Sequence, residues 1–105
     1  MTYSEKLRDP RWQRKRLEIL ARDGWTCELC SSTSRTLHVH HGYYDKDYEP
    51  WDYPNETLHT LCDECHEEIK NVTAYLYQDI AKLPVGELYE VGKWLVAKQE
   101  FLNLL

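Results

Sequence analysis

A small α+β domain is what the sequence predicts, and three observations carry the prediction. The chain has 105 residues, room for one domain at the usual size of roughly 100 to 200 residues. Apolar residues at helical spacing flank a short run that alternates at strand spacing. Four cysteines fall in two C-x-x-C pairs. A chain this short hides only about two-thirds of the surface its unfolded form exposes, so a staple of near-covalent strength is expected.

Asp9-Pro10 opens a first helix: Asp suits the N-cap, Pro the first helical position, and strong helix formers run from Arg11 to Arg22 before an Asp23-Gly24 stop. At about 100° per residue, Trp12, Leu17, Ile19 and Leu20 gather on one side, with Arg11, Arg14, Lys15, Glu18 and Arg22 opposite. Arg16 falls inside the apolar sector, where an unpaired guanidinium is costly, so a carboxylate partner is expected for it. Residues 25 to 34, small and polar around the first cysteine pair, read as a knuckle. From Thr36 to His41, Leu37 and Val39 face one way and His38 and His40 the other, as on a short strand. Residues 42 to 57 read as a long loop or hairpin return, on which Tyr43, Tyr44, Tyr48, Trp51 and Tyr53 are expected to pack. A helix from about Leu61 gathers Cys62, Cys65, His66, Ile69, Val72, Thr73, Leu76 and Ile80 within about 120°. Pro84 and Gly86 then break the chain before a last helix, about 86 to 103, whose Leu88, Val91, Trp94, Leu95, Phe101 and Leu102 are expected to cover the core.

Composition excludes several classes. Apolar residues make up 42% with no run near the roughly 20 residues of a membrane span, and 12% aromatics argues against a disordered tail. No basic stretch followed by an apolar one opens the chain, so secretion is not indicated and a cytoplasmic location is the default. Thiols stay reduced there, which favours metal ligation over disulfides. Net charge is −5, but residues 1 to 24 carry seven basic against four acidic side chains and the remainder six against fourteen, so any nucleic-acid binding has to be local.

Cys27-Glu28-Leu29-Cys30 and Cys62-Asp63-Glu64-Cys65 each supply two sulfurs at the spacing of a tetrahedral zinc corner. No βαβ pattern surrounds either pair, as a thioredoxin-like redox site requires. One shared Cys₄ zinc is the expectation, structural because four protein ligands leave no position for water. The 31 residues between the pairs exceed the roughly 15 to 20 of a plain zinc ribbon. The excess holds His38, His40, His41, Asn55 and His59, and His66 follows the second pair at once.

The string Leu37-His38-Val39-His40-His41, then Trp51-Asp52-Tyr53-Pro54-Asn55, then Leu61-Cys62-Asp63-Glu64-Cys65-His66 resembles the HNH endonuclease family in its zinc-bearing, treble-clef form, also called the ββα-metal nucleases. The resemblance covers about residues 11 to 70 of a single domain spanning 1 to 105, with residues 71 to 105 a C-terminal helical extension. It implies that His41 is the general base acting on water, an imidazole near pKa 6.5 being suited to that task. It implies that His40 and His66 hold one exchangeable divalent cation, Mn²⁺ or Mg²⁺, which stabilises the leaving 3′ oxygen. Asn55 would orient the base. Two departures stand out: the family's Asn position falls on Thr57 by ungapped counting, two residues after Asn55, and a further metal-ligand position carries Lys70.

The implied activity is metal-dependent hydrolysis of DNA phosphodiester bonds, nicking one strand per protomer with low sequence specificity. DNA is the expected partner, no membrane is involved, a monomer is favoured over a dimer, and a protein partner could supply specificity. The basic stripe Arg11, Arg14, Lys15 and Arg22 is the candidate phosphate contact. His38 and His59 read as surface residues. The rival is a non-catalytic zinc module that binds nucleic acid or protein, since fold alone does not decide function.

Overall fold

A computed structural model describes the backbone of residues 1–104 and the side chains of residues 1–101. Leu102, expected on the apolar face of the last helix, therefore has its side chain outside the described residues. The chain divides into two compact units, Met1–Lys70 and Asn71–Leu105. Among the described residues, helices and one two-stranded antiparallel sheet make the architecture α+β.

In the first unit, α1 (Tyr3–Lys6) is a single turn capped by Thr2, whose hydroxyl accepts from the Glu5 amide. α2 (Pro10–Arg22) starts as expected, with the Asp9 carboxylate accepting from the Arg11 amide at 2.8 Å and Pro10 at the first position. It ends in a Schellman motif: the Trp25 amide reaches the Leu20 carbonyl and the Gly24 amide that of Ala21, with Gly24 at φ 62° and Trp25 at φ 55°. Gly24 supplies that left-handed turn without a Cβ penalty.

β1 (Leu37–His41) pairs antiparallel with β2 (Leu58–Cys62), Leu37 opposite Cys62 and His41 opposite Leu58. Sequence periodicity had placed the start of a helix at about Leu61. The helix instead begins at Asp63, as α3 (Asp63–Thr73), and Cys62 is the last residue of a strand. Leu58, Thr60, Leu61 and Cys62 are all buried, so β2 lacks the alternation that marks a half-exposed strand. The apolar pattern that ran on through Ile80 is likewise cut after Thr73, and α4 (Leu76–Ala81) is a separate turn-and-a-half.

Two clusters make the core among the described residues. Trp12, Ile19, Tyr53 and Leu58 form one, with Leu7, Val39 and Trp51 against it; Cys27, Leu61, Cys62 and Cys65 form the other, with Leu37 and Ile69. Leu17, assigned by periodicity to the apolar side of α2, is exposed, because the strands cover only the arc that includes Trp12, Ile19 and Leu20.

In the second unit, α5 (Val85–Leu104) follows Pro84, whose carbonyl accepts the Leu88 amide. Its apolar residues run round the helix instead of along one face, and Leu88, Val91, Trp94 and Leu95 are exposed. The expectation that this helix covers a core finds no buried side chain among its described residues. Among the described residues no helix is long and apolar enough to cross a membrane.

Candidate functional site

Three elements deliver the cysteines. Cys27 and Cys30 come from the knuckle after α2, Cys62 closes β2, and Cys65 lies in the first turn of α3. All four are free thiols, and their Sγ atoms lie within 4.8 Å of one another. The Cys30 and Cys62 sulfurs are 3.7 Å apart, close to the roughly 3.8 Å between sulfurs that each sit about 2.3 Å from one tetrahedral ion. Amides turn toward the cluster, Cys30 N–H to Cys27 Sγ at 3.5 Å and Cys65 N–H to Cys62 Sγ at 3.4 Å. Burial pushes the Cys27 thiol up, but the amides of Cys30, Cys62 and Leu29 outweigh it and hold the pKa down to about 6. Burial, together with hydrogen bonds shared with the other thiols, pushes Cys65 up. The four cysteines are positioned to hold a metal ion and suit a structural zinc, which would displace the protons they share.

A cleft of about 240 Å³ lies beside β1, lined by Trp12, Arg16, His38, His40, His41, Tyr44 and His66 among others. β1 and α3 meet there. The His66 ring stacks on His38 and sits edge-on to His40, at 5.3 Å between centroids in each case. Among the described residues, the group of three or more potential metal ligands whose ligand atoms all lie within 4.8 Å is the cysteine set. Burial holds His40 below the ordinary imidazole range, and the positive fields of His66, His59, His41 and Lys70 add to it. His66 is lowered by burial, His38 and Lys70, against an opposing Glu67. Both rings are thereby kept neutral, the form that ligates metal.

His41 is 5% exposed. It is stacked on Trp12 at 4.8 Å between centroids and flanked edge-on by Tyr53 at 4.9 Å. Its Nε2 lies 3.1 Å from the Pro50 carbonyl oxygen. A carbonyl only accepts, so Nε2 carries the proton in the neutral ring and Nδ1 holds the free lone pair. Burial lowers the pKa of His41, and the Pro50 carbonyl opposes that only in part.

The loop that presents Pro50 is tied into shape by its own polar groups. The Tyr53 hydroxyl accepts from the Asp45 amide at 2.8 Å, the Asp52 carboxylate accepts from the Glu49 amide, and Lys6 pairs with Glu49 at 2.7 Å. Asn55 stands in a short 3₁₀ turn, Asn55–Thr57, exposed, and it is its carbonyl that is engaged, by Arg22. The Thr57 hydroxyl donates to the Pro54 carbonyl. The group bonded to the His41 ring is therefore a main-chain oxygen, which no side-chain pattern announces.

The basic stripe separates into two kinds. Arg11 is bonded twice to Asp9 and lies over the Trp51 ring at 4.0 Å, and Arg22 holds Asp23 and the carbonyls of Asn55 and Leu58. Arg14 and Lys15 make no ion pair among the described residues. His59 pairs with Glu28 at 2.9 Å, fastening β2 to the knuckle. His38, read from sequence as a surface residue, is exposed and also lines the cleft beside His66; its alternation with His40 on one strand face was the signal for the latter. Arg16, for which a carboxylate was expected, has none among the described residues and lines the cleft instead. No protein-family model, curated protein or solved structure matches the chain.

Proposed function

We propose that the chain is a metal-dependent DNA endonuclease of the HNH type, a zinc-bearing treble clef that nicks one strand per encounter. The observation that carries this reading is the Pro50 carbonyl oxygen 3.1 Å from His41 Nε2: in the neutral ring that contact keeps the proton on Nε2 and leaves Nδ1 to accept one, on a side chain that lines a cleft shared with His40 and His66. Nδ1 takes a proton from water, the water oxygen attacks phosphorus, and the bond to the 3′ oxygen breaks, that oxygen taking a proton from solvent water, so that 5′-phosphate and 3′-hydroxyl ends are left. His40 and His66, neutral and edge-on to each other at 5.3 Å between centroids, are the pair that would hold a divalent ion such as Mn²⁺ or Mg²⁺, which when bound would supply positive charge beside the departing oxygen. Cys27, Cys30, Cys62 and Cys65 would hold zinc and fix β2 and α3, and through them His66, against β1. Arg14 and Lys15 are the stripe residues free to meet a DNA backbone.

The test is supercoiled plasmid incubated with Mn²⁺ or Mg²⁺. Conversion to open circles is expected, and His41→Ala should abolish it while retaining one zinc per chain by elemental analysis. A second reading, a zinc module that binds without cutting, is favoured by the cysteines being the group of metal-ligating side chains drawn together among the described residues. Plasmid left intact with every metal would decide for it.

A further inference from the structure

The cleft beside His41 contains a cation with nothing to balance it. Arg16 is half-buried and lines that cleft together with Trp12, His38, His40 and His66. It has no ion pair or hydrogen-bond partner among the described residues. Arg11 is satisfied by Asp9 and Arg22 by Asp23 and two carbonyls, and of the unpaired basic residues on α2, Arg14, Lys15 and Arg16, it is Arg16 that lines the cleft. Among the described residues no aspartate or glutamate lines the cleft, although the chain carries 18 acidic residues against 13 basic. A concavity from which carboxylates are excluded and in which a guanidinium stands unpaired concentrates positive potential. The guanidinium fork matches two oxygens of a phosphate in a way that a lone ammonium does not. The volume, about 240 Å³, lies below the roughly 300 Å³ at which drug-sized ligands begin to fit. It suits one small oxyanion, with the rest of the ligand outside.

We propose that Arg16 is a substrate-binding residue that grips a phosphate group in this cleft through its guanidinium fork. The proposal rests on the nuclease reading and deepens it, since it names the group that seats the phosphate between α2 and the histidines. It also explains why an arginine occupies the apolar sector of α2: there it lines the cleft beside Leu7, Trp12 and Tyr3, where a long side chain can keep an apolar stem and a charged head in different surroundings.

The experiment has two arms on the zinc-loaded full chain. In the first, the Nε–H resonance of Arg16, assigned by its loss in Arg16→Lys, is followed by NMR during titration with inorganic phosphate. It should shift saturably while that of Arg8 stays put. In the second, nicking kinetics on plasmid should show KM raised about tenfold in Arg16→Ala, partly restored in Arg16→Lys, and unchanged in Arg8→Ala. A silent Arg16 resonance together with an unmoved KM overturns the proposal, even where His41→Ala still abolishes nicking. A saturable phosphate shift with plasmid left intact sinks the nuclease reading alone and keeps the phosphate grip. The phosphate titration uses the unaltered chain, so the proposal stays testable if Arg16→Ala fails to fold.

Discussion

His41 owes its chemistry to what surrounds it more than to its own type. Burial against Trp12 and Tyr53 disfavours the imidazolium, so the neutral ring persists to pH values below the usual 6.5. Activity that needs neutral Nδ1 is lost as pH falls through that lowered value, so the acid limb of kcat/KM for nicking should lie below pH 6.5; a limb above 6.5 would contradict the assignment. Trp12 is 5% exposed and is both the floor of this ring and a member of the core. Trp12→Ala should cost about 3–5 kcal/mol in urea unfolding. Alternation set His38 and His40 on one strand face, and the resemblance to the HNH family singled out His40, His41 and His66. The Pro50 carbonyl was not, since a main-chain acceptor leaves no trace in residue type. Arg16 was half legible: its position on α2 was visibly anomalous, but a guanidinium in an apolar sector satisfies either a carboxylate or a cleft, and only coordinates separate the two.

At the level of elements, Arg22 closes the far end of the hairpin. Its guanidinium donates to the Asn55 carbonyl at 2.7 Å and the Leu58 carbonyl at 2.8 Å while paired with Asp23, whose carboxyl the arginine holds below the usual range. Arg22→Ala leaves two carbonyls without that donor and should destabilise by roughly 1–3 kcal/mol, read as a lower urea midpoint with unchanged slope. The effect should be on folding, with KM for plasmid little altered, because this arginine is spent inside the chain. α2 was readable down to its cap, since Asp-Pro at one end and Asp-Gly at the other are local signals that tertiary structure did not override. β2 was not, because a strand buried on both faces loses its period of two and merges with the helix behind it. The break after Thr73 had no Gly or Pro to mark it. Asn71, Val72 and Thr73 are merely weak helix formers.

For the molecule as a whole, both core clusters are drawn from residues between Leu7 and Ile69, inside the first unit. A fragment of residues 1–73 should therefore retain one zinc and a cooperative unfolding transition by circular dichroism, and a fragment that is unfolded with zinc present would refute this. One core cluster consists largely of the cysteines themselves, so stripping the ion with a strong chelator should remove a contribution on the order of 10 kcal/mol and abolish that transition. The α+β class was legible from three local patterns, whereas the exposure of α5 was not, since apolar content alone does not say on which side a helix presents it. The order of the four sulfurs along the chain has a consequence for biosynthesis. Translation delivers Cys27 and Cys30 early, Cys62 and Cys65 only after the whole hairpin has been made, and His66 as the very next residue. The nascent polypeptide cannot complete its cysteine clamp until the hairpin is finished, and from then on a single further peptide bond supplies the last imidazole of the cleft.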